Sequence, residues 1–277
     1  MKKFLLFVLI LCAAGGLYYY LDCKNKAPEQ IPEPKLSSIE QLKDQKLAAQ
    51  RGTVGQMIAE DLLGGRSEEL LTTFEKYVDA VSALRQKKIR AIIMDEQPAK
   101  RFVKEIEGLA IMKQELANES YAIGFKKGNT DLVNKVNAAL NEIKSDGTLD
   151  KIFDKYYNGD LKQINPDEID FNLNADGGKL VVGTEAGFAP YELKVGDSYI
   201  GVDIEMCAAI AKKLNMSLVI ENMNFDALPM AVNSGKVDMI CAGFTVTEDR
   251  KKNMDFSENY VVNAKHVALV RADDYEQ

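Results

Sequence analysis

The chain is read as an α/β protein on two observations. Short apolar runs of strand type alternate with amphipathic stretches of helix length, the pattern of parallel sheets covered by helices. That alternation is interrupted once, between Leu161 and Asp176, and so falls into two halves. At 277 residues, 46% hydrophobic and 28% charged, the chain can build one or two cores.

In the first half, Leu47–Gln50 reads as a strand, then Gly52-Thr53 opens a helix from about Val54 to Leu63. Leu70–Phe74 is a short strand and Tyr77–Gln86 a helix. Ile89–Met94 is an apolar run of buried-strand type, with Asp95 opening the next helix. Tyr121–Phe125 is another strand. In the helix Leu132–Ile143, Leu132, Val136, Ala139, Leu140 and Ile143 share one face. Leu149–Tyr157 is a last short helix. Leu161–Asp176 holds Pro166 and several Asn and Asp without periodicity, and is taken as a linker able to span about 50 Å when extended. In the second half, Leu180–Val182 is a strand, and Tyr191–Leu193 and Tyr199-Ile200 flank a Gly196-Asp197 turn. Asp203–Leu214 is a helix; Leu218–Ile220, Val237–Ala242 and Lys265–Val270 are strands.

Lys2 and Lys3 precede an apolar run from Phe4 to Leu21, the arrangement of an export signal or membrane anchor. Leu11 before Cys12 and Asp22 before Cys23 fit a lipid-attachment site poorly, and cleavage after Ala14 leaves Tyr18, Tyr19 and Tyr20 exposed. An uncleaved anchor fits best, with the tyrosines at the outer interface. The segment 23–38, with Pro28, Pro32 and Pro34 among charged residues, reads as an extended spacer.

A net charge of −7 argues against nucleic acid or an anionic membrane surface as the main partner. One histidine, His266, leaves little material for His-based catalysis or His-rich metal sites, and no cofactor is expected. Cys207 and Cys241, without CxxC spacing, read as small core thiols; a bridge between them stays open.

The functional residues are sought at strand ends, where α/β sheets bind ligands. A free amino acid needs a guanidinium and N–H or hydroxyl donors for its carboxylate, and a carboxylate for its ammonium. The run Gly243-Phe244-Thr245-Val246-Thr247-Glu248-Asp249-Arg250 follows a strand and supplies a hydroxyl, backbone donors and Arg250, with Thr247 capping the helix that carries it. Gly52-Thr53-Val54-Gly55 runs into a helix N-terminus, an anion site. Asp95 is placed to meet an ammonium. Singly, each has a plainer reading: a lone Arg is usually solvated, and an Asp after a strand is usually an N-cap. The joint placement raises them.

Longer motifs point the same way. Val182-Gly183-Thr184-Glu185-Ala186-Gly187-Phe188-Ala189-Pro190-Tyr191-Glu192, then Gly201-Val202-Asp203-Ile204, Asn224-Phe225-Asp226, Ser234-Gly235-Lys236-Val237-Asp238, the run ending at Arg250, and Asp255-Phe256-Ser257 resemble, in order, the first part of the polar amino-acid solute-binding proteins of ABC transporters (family 3). Glu205 replaces the second acid of their "GxDxD" motif. Gln50-Arg51-Gly52-Thr53 and Ala91-Ile92-Ile93-Met94-Asp95 resemble their second-lobe motifs. The resemblance implies a two-lobed periplasmic-binding-protein-like fold (type II) with the ligand cleft between lobes. It implies that Arg250 clamps the carboxylate with Thr245 and the Thr53 turn, while the Gly243 carbonyl and Asp95 take the ammonium. Phe188 and Phe225 would sandwich the side chain; Glu185, Gln50 and Met94 would face its distal end. The acidic Glu185 favours a basic or amide side chain.

The order of the halves departs from the family, as in a circular permutation. The expected lobes are 39–116 completed by 265–277, and 122–259 containing the linker 161–176. Hinge crossings fall at 117–121 and 260–264. The function this implies is extracytoplasmic amino-acid capture for an ABC permease, by a monomer or a domain-swapped dimer, with no catalytic residue. A cleft enzyme (dehydratase or peptidoglycan-lytic type) built on Glu185 and a membrane-anchored sensor are the rival classes.

Overall fold

The computed structural model describes residues 34–276. The export segment 1–22, most of the spacer, Cys12 and Cys23 lie outside the described residues. No helix among the described residues is long and apolar enough to cross a membrane.

The strands are β1 (Leu47–Gln50), β2 (Leu71–Phe74), β3 (Ala91–Asp95), β4 (Leu109–Ile111), β5 (Ala117–Tyr121), β6 (Gly124–Lys126), β7 (Lys179–Thr184), β8 (Gly187–Phe188), β9 (Glu192–Val195), β10 (Ser198–Ile200), β11 (Ser217–Asn222), β12 (Met239–Ile240), β13 (Met254–Phe256) and β14 (Val261–Arg271). The helices are α1 (Val54–Leu63), α2 (Ser67–Leu70), α3 (Tyr77–Arg85), α4 (Glu96–Glu105), α5 (Thr130–Ser145), α6 (Thr148–Asn158), α7 (Val202–Lys213), α8 (Leu228–Ser234) and α9 (Glu248–Asn253).

One sheet has the order β2-β1-β3-β14-β4, with β5 also on β14; a second runs β11-β7-β12-β6-β13. A small antiparallel meander, β8-β9-β10, sits beside the second. All five residues of β3 are buried, as an apolar strand in a sheet interior requires. The sheets are mixed rather than wholly parallel. β1 runs parallel to β2 and β3, and β7 to β11 and β12, but β14 is antiparallel to β3, β4 and β5, and β6 is antiparallel to β12 and β13.

Two chain segments run from one sheet to the other. The apolar run Tyr121–Phe125, read as one strand, is two: β5 ends at Tyr121, and β6 starts at Gly124 in the second sheet. Between them Ala122 donates to the Phe244 carbonyl and Ile123 accepts from the Ser257 amide. Hydrophobicity is continuous through this crossing because Ala122 and Ile123 are themselves buried. The return is β14, whose register against β5 shifts between Val262 and Ala264. Asn263 takes φ 59° at this bulge, a conformation Asn tolerates.

Other elements differ from expectation for local reasons. β4 has three residues, too few to show periodicity. α8, not expected from the sequence, carries Pro229 in its first turn, where its missing N–H costs nothing. The run Val237–Ala242 pairs as a strand only at Met239-Ile240. The stretch 161–176 is packed rather than free: Leu161 and Ile169 are buried, and the Asn172 side chain donates to the Met216 carbonyl. The spacer ends earlier than 38, because buried Leu36 donates to Asp274 and accepts from Glu276. Cys207 and Cys241 are both buried and unbridged.

Candidate functional site

A gap between the two sheets is lined by Gln50, Thr53, Val54, Asp95, Glu185, Phe188, Phe225, Ala242, Gly243, Thr245 and His266. Its volume is about 310 Å³ with the open mouth counted, and its walls lie close together. Gln50, Asp95, Glu185, Phe225 and the Gly243–Thr245 run each lie at or beyond the carboxyl end of a parallel strand, β1, β3, β7, β11 and β12 respectively. There the chain turns away from the sheet and side chains can converge.

Gly52 (φ 78°) makes the turn after β1, and Thr53 caps α1 by accepting from the Gln56 amide at 3.3 Å. After β12, Gly243 has φ 52°, and a Cβ there would sit 2.6 Å from the Phe188 ring, so only glycine fits. Its amide donates to Asp203 Oδ2 at 2.8 Å, which anchors the loop to α7.

Arg250 does not line the gap; it reaches across it. Thr247 caps α9 by accepting from the Arg250 amide at 3.1 Å, which aims the side chain back over the strand ends. The guanidinium donates to the Thr245 carbonyl at 2.7 Å and to the Gly52 carbonyl at 3.0 Å, and so joins the two walls. It lies 4.0 Å above the Phe244 ring centre and 5.6 Å from that of Phe225. Burial lowers its pKa to about 10, against the pull of Glu119 and Asp95, which leaves it charged at neutral pH.

At the other end, the Gln50 amide donates to Glu185 at 3.2 Å and to the Glu75 carbonyl at 2.8 Å. Burial pushes the Glu185 carboxyl above its usual range, opposed by the Gln50 bond and Lys76. Phe188 stacks on Tyr77 and Tyr191, while Phe225 packs against Phe244. Arg51 is at the exposed rim, 3.9 Å from Asp226 and 3.8 Å from Glu75. Met94 does not join this group: successive strand residues face opposite ways, and with Asp95 facing the gap Met94 is buried in the core.

Asp95 occupies the N-cap position of α4 but makes no capping bond. Its carboxylate instead accepts from the Tyr121 hydroxyl and lies 3.7 Å from His266 Nε2. Two residues of this cluster, Glu119 and His266, are not among the candidate site residues of the sequence, where His266 is set aside as a lone histidine. Glu119 on β5 accepts from the Thr245 hydroxyl at 2.6 Å and lies 3.7 Å from His266 Nδ1. Burial raises its pKa, with His266 opposing. The available signal was a single histidine at the head of the apolar run Val267–Val270, and an acid in the segment that leads to the crossing between sheets. The region thus gathers three carboxylates, Asp95, Glu119 and Glu185, against the Arg250 guanidinium.

Two mixed sheets, each covered by helices and joined by two crossings, with a polar gap at their strand ends, define a two-lobed α/β binding fold. The chain belongs to the bacterial extracellular solute-binding proteins, family 3, whose sequence pattern matches residues 34–159 and 180–276. It is similar to the arginine-binding extracellular protein ArtP of Bacillus subtilis, 39% identical over 95 residues, 34% of this chain and 37% of that protein. A probable histidine-binding protein of Campylobacter jejuni is 34% identical over 95 residues, again 34% and 37% of the two chains. Among solved structures, an ancestral arginine-binding protein bound to glutamine is 46% identical over 29% of this chain and 36% of its own, with a TM-score of 0.29. The chain thus spans little more than a third of the length of these relatives.

Proposed function

We propose that this protein captures a free L-amino acid with a basic or amide side chain outside the cytoplasm and delivers it to an ABC permease. The observation that carries this reading is the convergence of Arg250, Thr245, Gly243, Thr53 and Asp95 at one end of a closable gap, with Glu185 and Gln50 at the other. Arg250 and the Thr245 hydroxyl receive the carboxylate; Asp95 and the Gly243 carbonyl receive the ammonium; Phe188 and Phe225 flank the side chain. Arg250, on helix α9 beside the second sheet, and Asp95, at the end of β3 in the first, belong to different lobes in this reading, so a zwitterion satisfies both only when the lobes close. Excess acid over base around the gap favours a ligand with net positive charge.

The same reading assigns the domains. One lobe is 39–116 completed by 265–277, the other 122–259, with hinges at 117–121 and 260–264. The family order is circularly permuted, which the placement of Val261–Arg271 beside β3 and β4 supports. An N-terminal anchor, argued from Lys2, Lys3 and the apolar run that follows, would hold the lobes near the membrane.

A thermal-shift panel of L-amino acids tests the function. A ligand at 100 times its dissociation constant adds about 2.7 kcal/mol, so arginine, lysine, histidine or glutamine should raise the midpoint by several degrees. A panel with no shift for any amino acid overturns the proposal.

A further inference from the structure

We propose that Asp95, Glu119 and His266 form a binding site for one divalent transition-metal cation of the zinc type. The three side chains come from three adjacent strands with β14 in the middle. His266 pairs in register with Asp95 of β3, and Ala264, two residues back on the same face, pairs with Glu119 of β5. Their placement therefore follows from sheet register and not from a loop.

One imidazole nitrogen and one oxygen from each carboxylate lie within 4.8 Å of one another; His266 Nδ1 is 3.7 Å from Glu119, while Nε2, on the other side of the ring, is 3.7 Å from Asp95. Zinc bonds of about 2.0–2.2 Å in tetrahedral geometry set donors roughly 3.4 Å apart, so Nδ1 and Glu119 are near that spacing and Asp95 turns towards them to complete the set. All three side chains are at least nine-tenths buried: His266 is 1% exposed, Glu119 8% and Asp95 9%.

Independently, buried His266 Nδ1 faces Glu119 and has no hydrogen-bond partner. Such a nitrogen is costly unless something fills it. The carboxylates are also held as metal-binding carboxylates are held, Asp95 by the Tyr121 hydroxyl and Glu119 by the Thr245 hydroxyl.

The donor set chooses the ion. One imidazole and two carboxylates, without thiolate, suit zinc, cobalt, nickel or manganese; imidazole argues against magnesium and calcium. Asp95 also borders a second hollow of about 630 Å³, lined by Tyr121, Tyr157, Tyr191 and Tyr260 among others, which offers the ion a way in. Asp95 is shared with the ammonium position, so cation and amino acid compete for it.

The test uses the full chain, stripped with a chelator and free of amino acids, so its result is independent of whether an amino acid binds. Zinc is titrated in competition with a chromophoric chelator. One zinc per chain is expected, with His266→Asn and Glu119→Gln each weakening uptake at least about tenfold, while circular dichroism shows both variants folded. Cobalt should give visible d–d bands that His266→Asn alters, without the near-ultraviolet absorption of thiolate ligation. Absence of stoichiometric uptake, uptake unchanged in both variants, or a thiolate signature overturns the site.

Discussion

Replacing Arg250 probes the proposed clamp most directly. Its guanidinium makes two charge-assisted bonds, at 2.7 Å to the Thr245 carbonyl and 3.0 Å to the Gly52 carbonyl, and lies 4.0 Å above Phe244. On the proposed function those two donors turn to the ligand carboxylate. Each such bond is worth about 1.5–3 kcal/mol, and 1.4 kcal/mol is tenfold in affinity. Arg250→Ala should therefore weaken L-arginine by roughly 3–6 kcal/mol, about 150-fold to beyond ten-thousand-fold. Arg250→Lys keeps the charge but loses the planar fork, so about one bond is forfeited and affinity falls roughly 10- to 150-fold. Isothermal titration calorimetry reads both, and circular dichroism checks the fold. The ordering matters as much as the size: wild type tightest, then Lys, then Ala. Affinity in Arg250→Ala within threefold of wild type would falsify the clamp.

Three further outcomes are expected. Glu185→Gln removes the charge that the Gln50 amide contacts and should weaken L-arginine about 10- to 100-fold relative to L-glutamine; an unchanged ratio in calorimetry rejects Glu185 as the selective group. Gly243→Ala places a Cβ 2.6 Å from the Phe188 ring at positive φ and should cost about 1–3 kcal/mol, lowering the melting midpoint by several degrees; a midpoint equal to wild type contradicts the packing described. Burial raises Asp203 to about 6, so between pH 4 and 6 the folded chain holds this proton more tightly than the unfolded chain. Its contribution to stability is full below about pH 4 and lost as pH rises through 6. Asp203→Asn should flatten that part of the melting-midpoint curve, and a midpoint difference between the two proteins that does not vary from pH 4 to 7 speaks against it.

Much of the architecture was legible in residues alone because it rests on local periodicity. The facial pattern of Leu132–Ile143, the buried run ending at Asp95, and the Thr247 cap under Arg250 each depend on neighbours within a turn or a strand. Strand ends could be found the same way, so Gln50, Thr53, Asp95, Glu185, Phe188, Phe225, Gly243 and Thr245 could be named before their meeting place was visible. Tertiary structure decided what depends on partners distant in sequence. Met94 and Asp95 are neighbours, yet sheet register turns one to the core and the other to the gap. Leu161–Asp176 has no periodic face, but Leu161 and Ile169 find buried places because other elements offer them. Glu119 and His266 acquire their roles only where β14 brings two chain segments together: ordinary residues of crossing strands by sequence, they become a buried charge cluster through pairing that no local pattern encodes.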